Sequence, residues 1–403
     1  MVTNVGKSAR VGGMGVPFAA YGAEIYLQGL ADQRPALPTD PSRLEAAARS
    51  VLDDGPFSYV AGGAGTGATM RANLTAFDRY GFVPRMLRDT TERDWSTTVL
   101  GTAMPAPVLL APIGVMSIMH PDGELAVARA AAELGVPMVL STASSHTIEE
   151  VAEASGDAPR WYQLYWPTED AVTVSILERA RAAGHRVLVV TLDTWALGWR
   201  PHDLDASYLP FLRGVGTAIP FSDPAFRAGL AAPPEDDLMA AVGRWVPMFT
   251  GTAVRWDRLD LLREHWDGPI VLKGVQHVDD ALHALDVGID GIVVSNHGGR
   301  QVDRAIGSLD ALPGIVAAVD GRAAVLFDSG IRTGADAAVA LALGADAVLL
   351  GRPYVYGLAL GGQDGVRHVL RSVLAELDLT LALSGFADLA QVRGAKDAVT
   401  KYG

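Results

Sequence analysis

From residue 106 onward the chain repeats one pattern: a short apolar run, a few small or polar residues, then a stretch whose apolar positions have helical spacing. Eight such runs can be read: PVLLAP (107–112), VPMVLS (136–141), RWYQLY (160–165), RVLVVTLD (186–193), PIVLKG (269–274), GIVVSN (291–296), AAVLFDS (323–329) and DAVLLGR (346–352). Between most of them lie helical segments such as GELAVARAAAELG, DAVTVSILERARAAG and GADAAVALALG, commonly closed by the glycine that helix C-termini favour. Upstream, PSRLEAAARSVLDDGPFSYVAGGAG reads as helical and ends in a glycine cluster, while residues 1–16 are aperiodic and read as a flexible tail.

Eight alternating units predict an α/β fold, a (β/α)8 TIM barrel with an N-terminal helical segment, formed as a single domain over residues 1–403. An open doubly wound sheet is the alternative; the near-regular spacing favours closure. One connection is anomalous. Between the fourth and fifth strands the chain runs through SYLPFLRGVGTAIPFSDPAF and RWVPMFTGTAVRW, rich in proline and aromatic residues. In a barrel, this insertion follows a strand C-terminus and lies over the catalytic face, so residues 201–265 are expected to form an active-site lid.

Composition narrows the function classes. Hydrophobic content of 49% and charged content of 20% describe a core-forming chain. No apolar run approaches the ~20 residues needed to span a bilayer, and the N-terminus lacks a secretory h-region, so no membrane partner and a cytoplasmic location are expected. The absence of cysteine excludes disulfides, thiolate metal sites and cysteine nucleophiles. A net charge of −13 argues against a nucleic-acid partner but leaves small anions open. The nine histidines show no metal-ligand spacing, and no metal site is expected.

In a barrel the strand C-termini share one rim. Reading round it gives Gly114, Ser141, Thr142, Gln163, Tyr165, Thr191, Asp193, Lys273, Ser295, His297, Asp328, Gly351 and Arg352, with Arg200 and Arg300 a few residues beyond two strand ends. Each has a plain structural alternative: a satisfied histidine, a solvated lysine, aspartates as helix N-caps, an arginine in a lid ion pair. The functional case rests on their convergence. DSGIRTGAD after the seventh strand and GRPY after the eighth have a sharper logic, since glycines admit an anion closely and helix N-termini offer N–H groups to phosphate. Arg332 and Arg352 add charge-assisted bonds there, so a phosphate-bearing ligand is expected at these two ends. The cluster AGGAGTG (61–67) is no dinucleotide loop, because it follows a helical pattern rather than a strand.

SNHGGRQ (295–301) resembles the active-site signature of the FMN-dependent 2-hydroxy acid oxidases and dehydrogenases. SYVAGGAG (58–65), LLAPIGV (109–115), YQLY (162–165), TLDTWALGWRPHDL (191–204), VLKG (271–274), FDSGIRTG (327–334) and GRPYVYG (351–357) resemble family segments in the same order. The resemblance spans residue 17 to the end. TLDTWALGWRPHDL, LPFLRGV, EIYLQGL and the long insertion are most similar to the lactate 2-monooxygenases of that family.

The resemblance implies FMN as cofactor, a small L-2-hydroxy acid and molecular oxygen as reactants, and a homo-tetramer or homo-octamer. It implies His297 as the base, Asp193 as the carboxylate facing it, Arg200, Arg300 and Tyr59 on the substrate carboxylate, and Tyr165 on the 2-hydroxyl. Lys273 would lie near flavin N1 and O2. Ser141, Gln163, Thr191 and Ser295 would line the isoalloxazine edge, with Pro112, Ile113 and Gly114 against it. Asp328 would take the ribityl hydroxyls, and Gly330, Arg332, Gly351 and Arg352 the phosphate. Gly114 stands where peroxide-releasing oxidases of the family commonly carry alanine. Ala143 and Ala196 stand where the lactate enzymes have bulkier residues, which implies room for a longer or aromatic acid. The implied activity is oxidation of lactate or a bulkier analogue with oxidative decarboxylation. The alternatives are an oxidase releasing keto acid and hydrogen peroxide and, in another class, an FMN-binding barrel acting on a peptide or as an isomerase.

Overall fold

The structure, a computed structural model, describes residues 17–250, 254–393, 395 and 398–402; the expected N-terminal tail lies outside them. Eight parallel strands close into a barrel. In chain order they are β1 (Val108–Leu110), β2 (Met138–Ser141), β3 (Arg160–Leu164), β4 (Leu188–Thr191), β5 (Ile270–Val275), β6 (Gly291–Val294), β7 (Ala324–Phe327) and β8 (Ala347–Leu350). Each coincides with one of the eight apolar runs, β5 extending one residue beyond its own, and β8 pairs with β1 to complete the ring.

The strands are buried on both faces, which is why they read as continuous apolar runs rather than alternating ones. Within a strand the two faces still part company. Val189, Val271, Val293, Leu326 and Leu349 fill the barrel interior, while Leu188, Val190, Leu272 and Val294 pack against the surrounding helices. The strand period of two requires this division.

Several elements had no clear signature in the apolar pattern. A hairpin, Thr97–Val99 with Thr102–Met104, adds Val99 and Met104 to the barrel interior, and the Thr102 hydroxyl accepts a 2.9 Å bond from the Trp161 indole at the start of β3. It thereby packs against the N-terminal end of the barrel. A second pair, Tyr80–Phe82 with Val399–Lys401, ties the C-terminal segment to the chain ahead of the barrel. The helix after β8, Arg352–Leu383, breaks its dihedrals at Gly361 and Gly362.

The segment between β4 and β5 contains short helices at Pro201–Asp205, Ala218–Ser222 and Pro224–Ala228, then a longer helix at Leu238–Phe249. Asp237 caps that helix through its side chain, and Trp245 and Phe249, one turn apart, stack at 5.5 Å. Phe211 stacks on Trp245 from the other side at 4.8 Å. The segment ends in a helix at Leu259–His265, whose Leu259 and Leu262 join the core outside the barrel. This last helix therefore belongs to the outer ring of the barrel.

Candidate active site

Strand register delivers the functional groups. Thr191 ends β4 directly beside Lys273 of β5. The ladder between β5 and β6 shifts by one residue at Gly274, between Lys273 and Val275. Gly274 has φ +105°, and a Cβ there would lie 2.8 Å from Asp193 Cγ, so only glycine lets the aspartate sit against this strand.

After β6 the chain turns sharply. His297 (φ +58°), Gly298 (φ +66°) and Gly299 (φ +75°) all adopt left-handed conformations. A side chain at Gly299 would meet the Met70 backbone nitrogen at 2.6 Å. The glycines thus let this turn pack onto the helix Ala68–Thr75, and His297 carries the strain that remains. Asn73 and Asn296 lock the same contact by exchanging amide hydrogen bonds of 2.8 and 2.7 Å.

His297 Nδ1 lies 2.9 Å from Asp193 Oδ1, and the Thr194 hydroxyl sits 2.9 Å from that oxygen and 3.0 Å from Nδ1. Burial is the largest influence on His297 and pushes its pKa down; Asp193 pulls it back, and the net value stays below that of an ordinary histidine. Burial opposes the charge on Asp193, yet His297 and Lys273 outweigh it and hold the carboxyl below its usual range. The pair is therefore a neutral imidazole beside an ionised carboxylate near neutral pH, with Nε2 left for a ligand.

Lys273 donates to the Ser295 hydroxyl at 2.9 Å and pairs with Asp328 at 3.0 Å. Burial opposes its charge, but Asp328 and Asp193 raise its pKa overall.

The arginines are held differently. Arg200 donates to the Arg300 carbonyl at 3.1 Å and to Gln301 Oε1 at 2.6 Å. Arg300 donates to the carbonyls of Tyr59 and Gly62, with its guanidinium over the Tyr59 ring at 5.0 Å. Arg352 braces the carbonyls of Val60, Gly62 and Gly298 at 2.8–3.0 Å. Among the described residues, none of these three guanidinium groups makes an ion pair with a carboxylate. Burial, with Arg300 adding to it, brings Arg200 down to about 10. Burial, then Arg332, lowers Arg352 to about 9. Both values mark cationic centres that an anion would relieve.

One cavity of about 490 Å³ collects most of these groups. Tyr59, Pro112, Ile113, Gly114, Tyr165, Arg200, Lys273, His297, Arg300, Asp328, Gly330, Arg332, Gly351 and Arg352 all line it, as do Ala143 and Ala196. Phe211, Trp245 and Phe249 line it from the insertion. Ser141, Gln163 and Ser295 are buried at the strand ends and do not line it; Thr191 and Asp193 line a second cavity of about 300 Å³ on the other side of Thr194. Among the described residues, no cluster of three His, Asp or Glu side chains could hold a metal ion.

One sequence expectation is corrected here. The helix after β7, Gly334–Ala342, does not offer free N–H groups to an anion. Asp336 accepts from the nitrogens of Arg332 and Thr333, and Glu376 accepts from that of Gly334. A capping box and a neighbouring helix have already satisfied them. The helix beginning at Arg352 has no side-chain cap, so the anion-seeking end is the one after β8, beside Gly330 and Arg332.

The arrangement also fits a flavin. Ser141 donates to Gln163 Oε1 at 2.8 Å, while Gln163 Nε2 is buried without a partner, a donor suited to a ring heteroatom. A Cβ at Gly351 would find its nearest neighbour only at 3.8 Å, so the glycine leaves open space in the cavity wall. Sequence reasoning missed Thr194, Gln301 and the aromatic stack. Thr194 and Gln301 adjoin recognised residues, but Phe211 lies far in sequence from Trp245 and had no local signal.

A closed parallel barrel with a buried base–carboxylate pair and arginines converging on one rim cavity defines a barrel enzyme for an anionic cofactor and an anionic small molecule. The chain belongs to the FMN-dependent dehydrogenase family, whose pattern matches residues 48–399. It is 49% identical over 379 residues to the FMN-dependent alpha-hydroxy acid dehydrogenase qulF of Penicillium citrinum, covering 93% of this chain and 94% of that one. It is 41% identical to an L-lactate oxidase of Lysinibacillus sphaericus (strain C3-41), covering 92% and 95%. The crystal structure of mandelate oxidase with (S)-4-hydroxymandelic acid superposes with a TM-score of 0.81 at 38% identity, covering 91% of this chain and 99% of the other.

Proposed function

We propose that this protein oxidises an L-2-hydroxy acid with an apolar side chain, using bound FMN and molecular oxygen. The observation that carries this reading is one cavity holding His297, with its pKa held low, and two arginines, buried Arg200 and half-buried Arg300, that contact no carboxylate. FMN, when bound, supplies the two-electron acceptor for the hydrogen on C2.

His297 Nε2 takes the 2-hydroxyl proton, and Asp193 at 2.9 Å stabilises the imidazolium that results. Arg200 and Arg300 hold the carboxylate, for which their planar forks are suited. Tyr59 and Tyr165 direct their hydroxyls to the carboxylate and the 2-oxygen. Both phenols have pKa values raised chiefly by burial, so each stays protonated and can donate. Lys273 places positive charge where a reduced cofactor accumulates negative charge, and Ser141, Gln163, Thr191, Ser295 and Pro112 to Gly114 bind its ring. Asp328 takes the ribityl chain, and Gly330, Arg332, Gly351 and Arg352 the phosphate.

Ala143 and Ala196, with Phe211, Trp245 and Phe249 opposite, leave an apolar space that favours an aromatic or branched acid over lactate. Similarity to mandelate oxidase and 4-hydroxymandelate oxidase supports that preference. The lid expected over residues 201–265 is kept in this reading, except for its last helix, Leu259–His265, which packs into the outer ring.

The finer outcome is oxidative decarboxylation, in which R–CHOH–COO⁻ and O₂ yield R–COO⁻, CO₂ and water. Two features support it: an insertion lining the cavity with three large aromatics, and Gly114, where a Cβ would lie 2.3 Å from the Ala143 carbonyl oxygen. The second reading, release of keto acid and hydrogen peroxide, is favoured by relatives named as oxidases. A cytoplasmic homo-tetramer or homo-octamer completes the proposal.

The test is an anaerobic screen of L-2-hydroxy acids from lactate to mandelate, followed by oxygen. Bleaching of the flavin absorbance is expected, strongest with the larger acids; no bleaching by any of them defeats the proposal. On reoxidation, carbon dioxide without peroxide supports decarboxylation, and stoichiometric peroxide with keto acid assigns an oxidase.

A further inference from the structure

We propose that Gln301 is a positioning residue: its amide sets Arg200 toward the substrate carboxylate and fixes the chain that carries Asp193. The proposal rests on the functional reading above.

Every hydrogen-bonding position of this amide is used. Nε2 donates to the carbonyl of Asp193 at 2.6 Å and to that of Ala196 at 2.8 Å. Oε1 accepts from Arg200 Nη2 at 2.6 Å and from the Gly198 nitrogen at 3.4 Å. An amide supplies two donors and two acceptors, and all four meet the single segment that runs from Asp193 to Arg200. The two loops also touch along their backbones. A Cβ at Gly198 would lie 2.6 Å from the carbonyl oxygens of both Arg300 and Gln301. Glycine permits the approach, and the amide holds it.

Charge explains why an amide suits this position. Arg200 is 5% exposed and donates to a backbone carbonyl and a neutral side-chain oxygen, while Asp203 acts on it through its field without contact. A carboxylate in the same place would reach the same nitrogen but match its charge, leaving less for an incoming acid. It would also set oxygen against the carbonyls of Asp193 and Ala196, where the amide donates. Gln301 therefore orients Arg200 without neutralising it.

The experiment compares the holoenzyme with Gln301→Glu and the near-isosteric Gln301→Met. Dead-end ligands are titrated against the flavin spectrum: a 2-keto acid (pyruvate or benzoylformate, whichever the parent binds more tightly) and its neutral primary amide. Met releases Arg200, and the keto acid is expected to weaken about tenfold. Glu also offsets the charge, and the keto acid is expected to weaken about a hundredfold. The neutral amide shifts by less than about threefold in either variant, because its binding does not draw on the charge. The graded loss for the acid alone, in variants that keep their FMN, supports the proposal. Equal weakening of acid and amide makes Gln301 merely structural and overturns it, as does unchanged binding of both. A parent holoenzyme that binds neither ligand overturns the functional reading itself, and this inference with it.

Discussion

At the ends of β4 to β7, titratable groups face their opposites: His297 meets Asp193 at 2.9 Å and Lys273 meets Asp328 at 3.0 Å. In the same cavity, Arg200, Arg300 and Arg352 form the contrasting set, meeting backbone carbonyls, an amide and one another's fields. The first arrangement sets protonation states internally and needs no ligand to do so. The second leaves largely buried positive charge with no carboxylate in contact, only Asp203 and Glu45 acting from further off, which costs free energy until an anion arrives. On the proposed function, the groups assigned to chemistry are thus poised in advance, while those assigned to binding are held short of a partner.

Breaking the paired side should affect rate more than binding. His297→Ala is expected to lower flavin reduction by about 10⁴-fold while the protein keeps its FMN, as read by stopped-flow absorbance. A parent-like reduction rate in that variant would remove His297 as the base.

Breaking the cationic side should do the reverse. Arg200→Leu is expected to raise KM for the hydroxy acid by about 10²–10³-fold, with a smaller loss in the limiting rate. A rate loss without a KM change would contradict the division of labour between the two sides.

The pair can also be probed through pH. The reaction needs neutral His297, so kcat/KM should hold near neutral pH and fall on an acid limb placed below the ordinary histidine value. In Asp193→Asn the carboxylate that pulls His297 upward is gone. The limb should then move to lower pH, with kcat down about a hundredfold. A limb that moved upward would mean that Asp193 does not face His297 as an ionised group.

The smallest effect is expected at the phosphate end. Arg332→Ala should weaken FMN retention by about tenfold in equilibrium dialysis. That arginine shares the task with Arg352, Gly330 and the uncapped helix after β8.

Much of the site was legible because barrel topology places every strand C-terminus on one rim. His297, Asp193 and Lys273 could be grouped from strand ends alone, whereas the pairing of Lys273 with Asp328 could not. What escaped had no positional signal. Whether a helix N-terminus after β7 could bind an anion depended on Asp336, Glu376 and their geometry, not on the glycines that suggested it. Gln301 stood in the SNHGGRQ motif, yet its role emerged only where the Asp193–Arg200 segment met it.

The sequence by itself determined the alternation of eight apolar runs with helices, and thereby the closed barrel and its rim; the roles expected of His297 and the arginines came from a family resemblance. Local physics suffices for that, since burial on both faces and helical periodicity are written into neighbouring residues. Tertiary structure alone decided which charges are paired, which arginines stay uncompensated and which aromatics line the cavity. Those properties arise from groups far apart in sequence, such as Arg352 and the Val60 carbonyl, 292 positions apart, whose desolvation and distance no local pattern encodes.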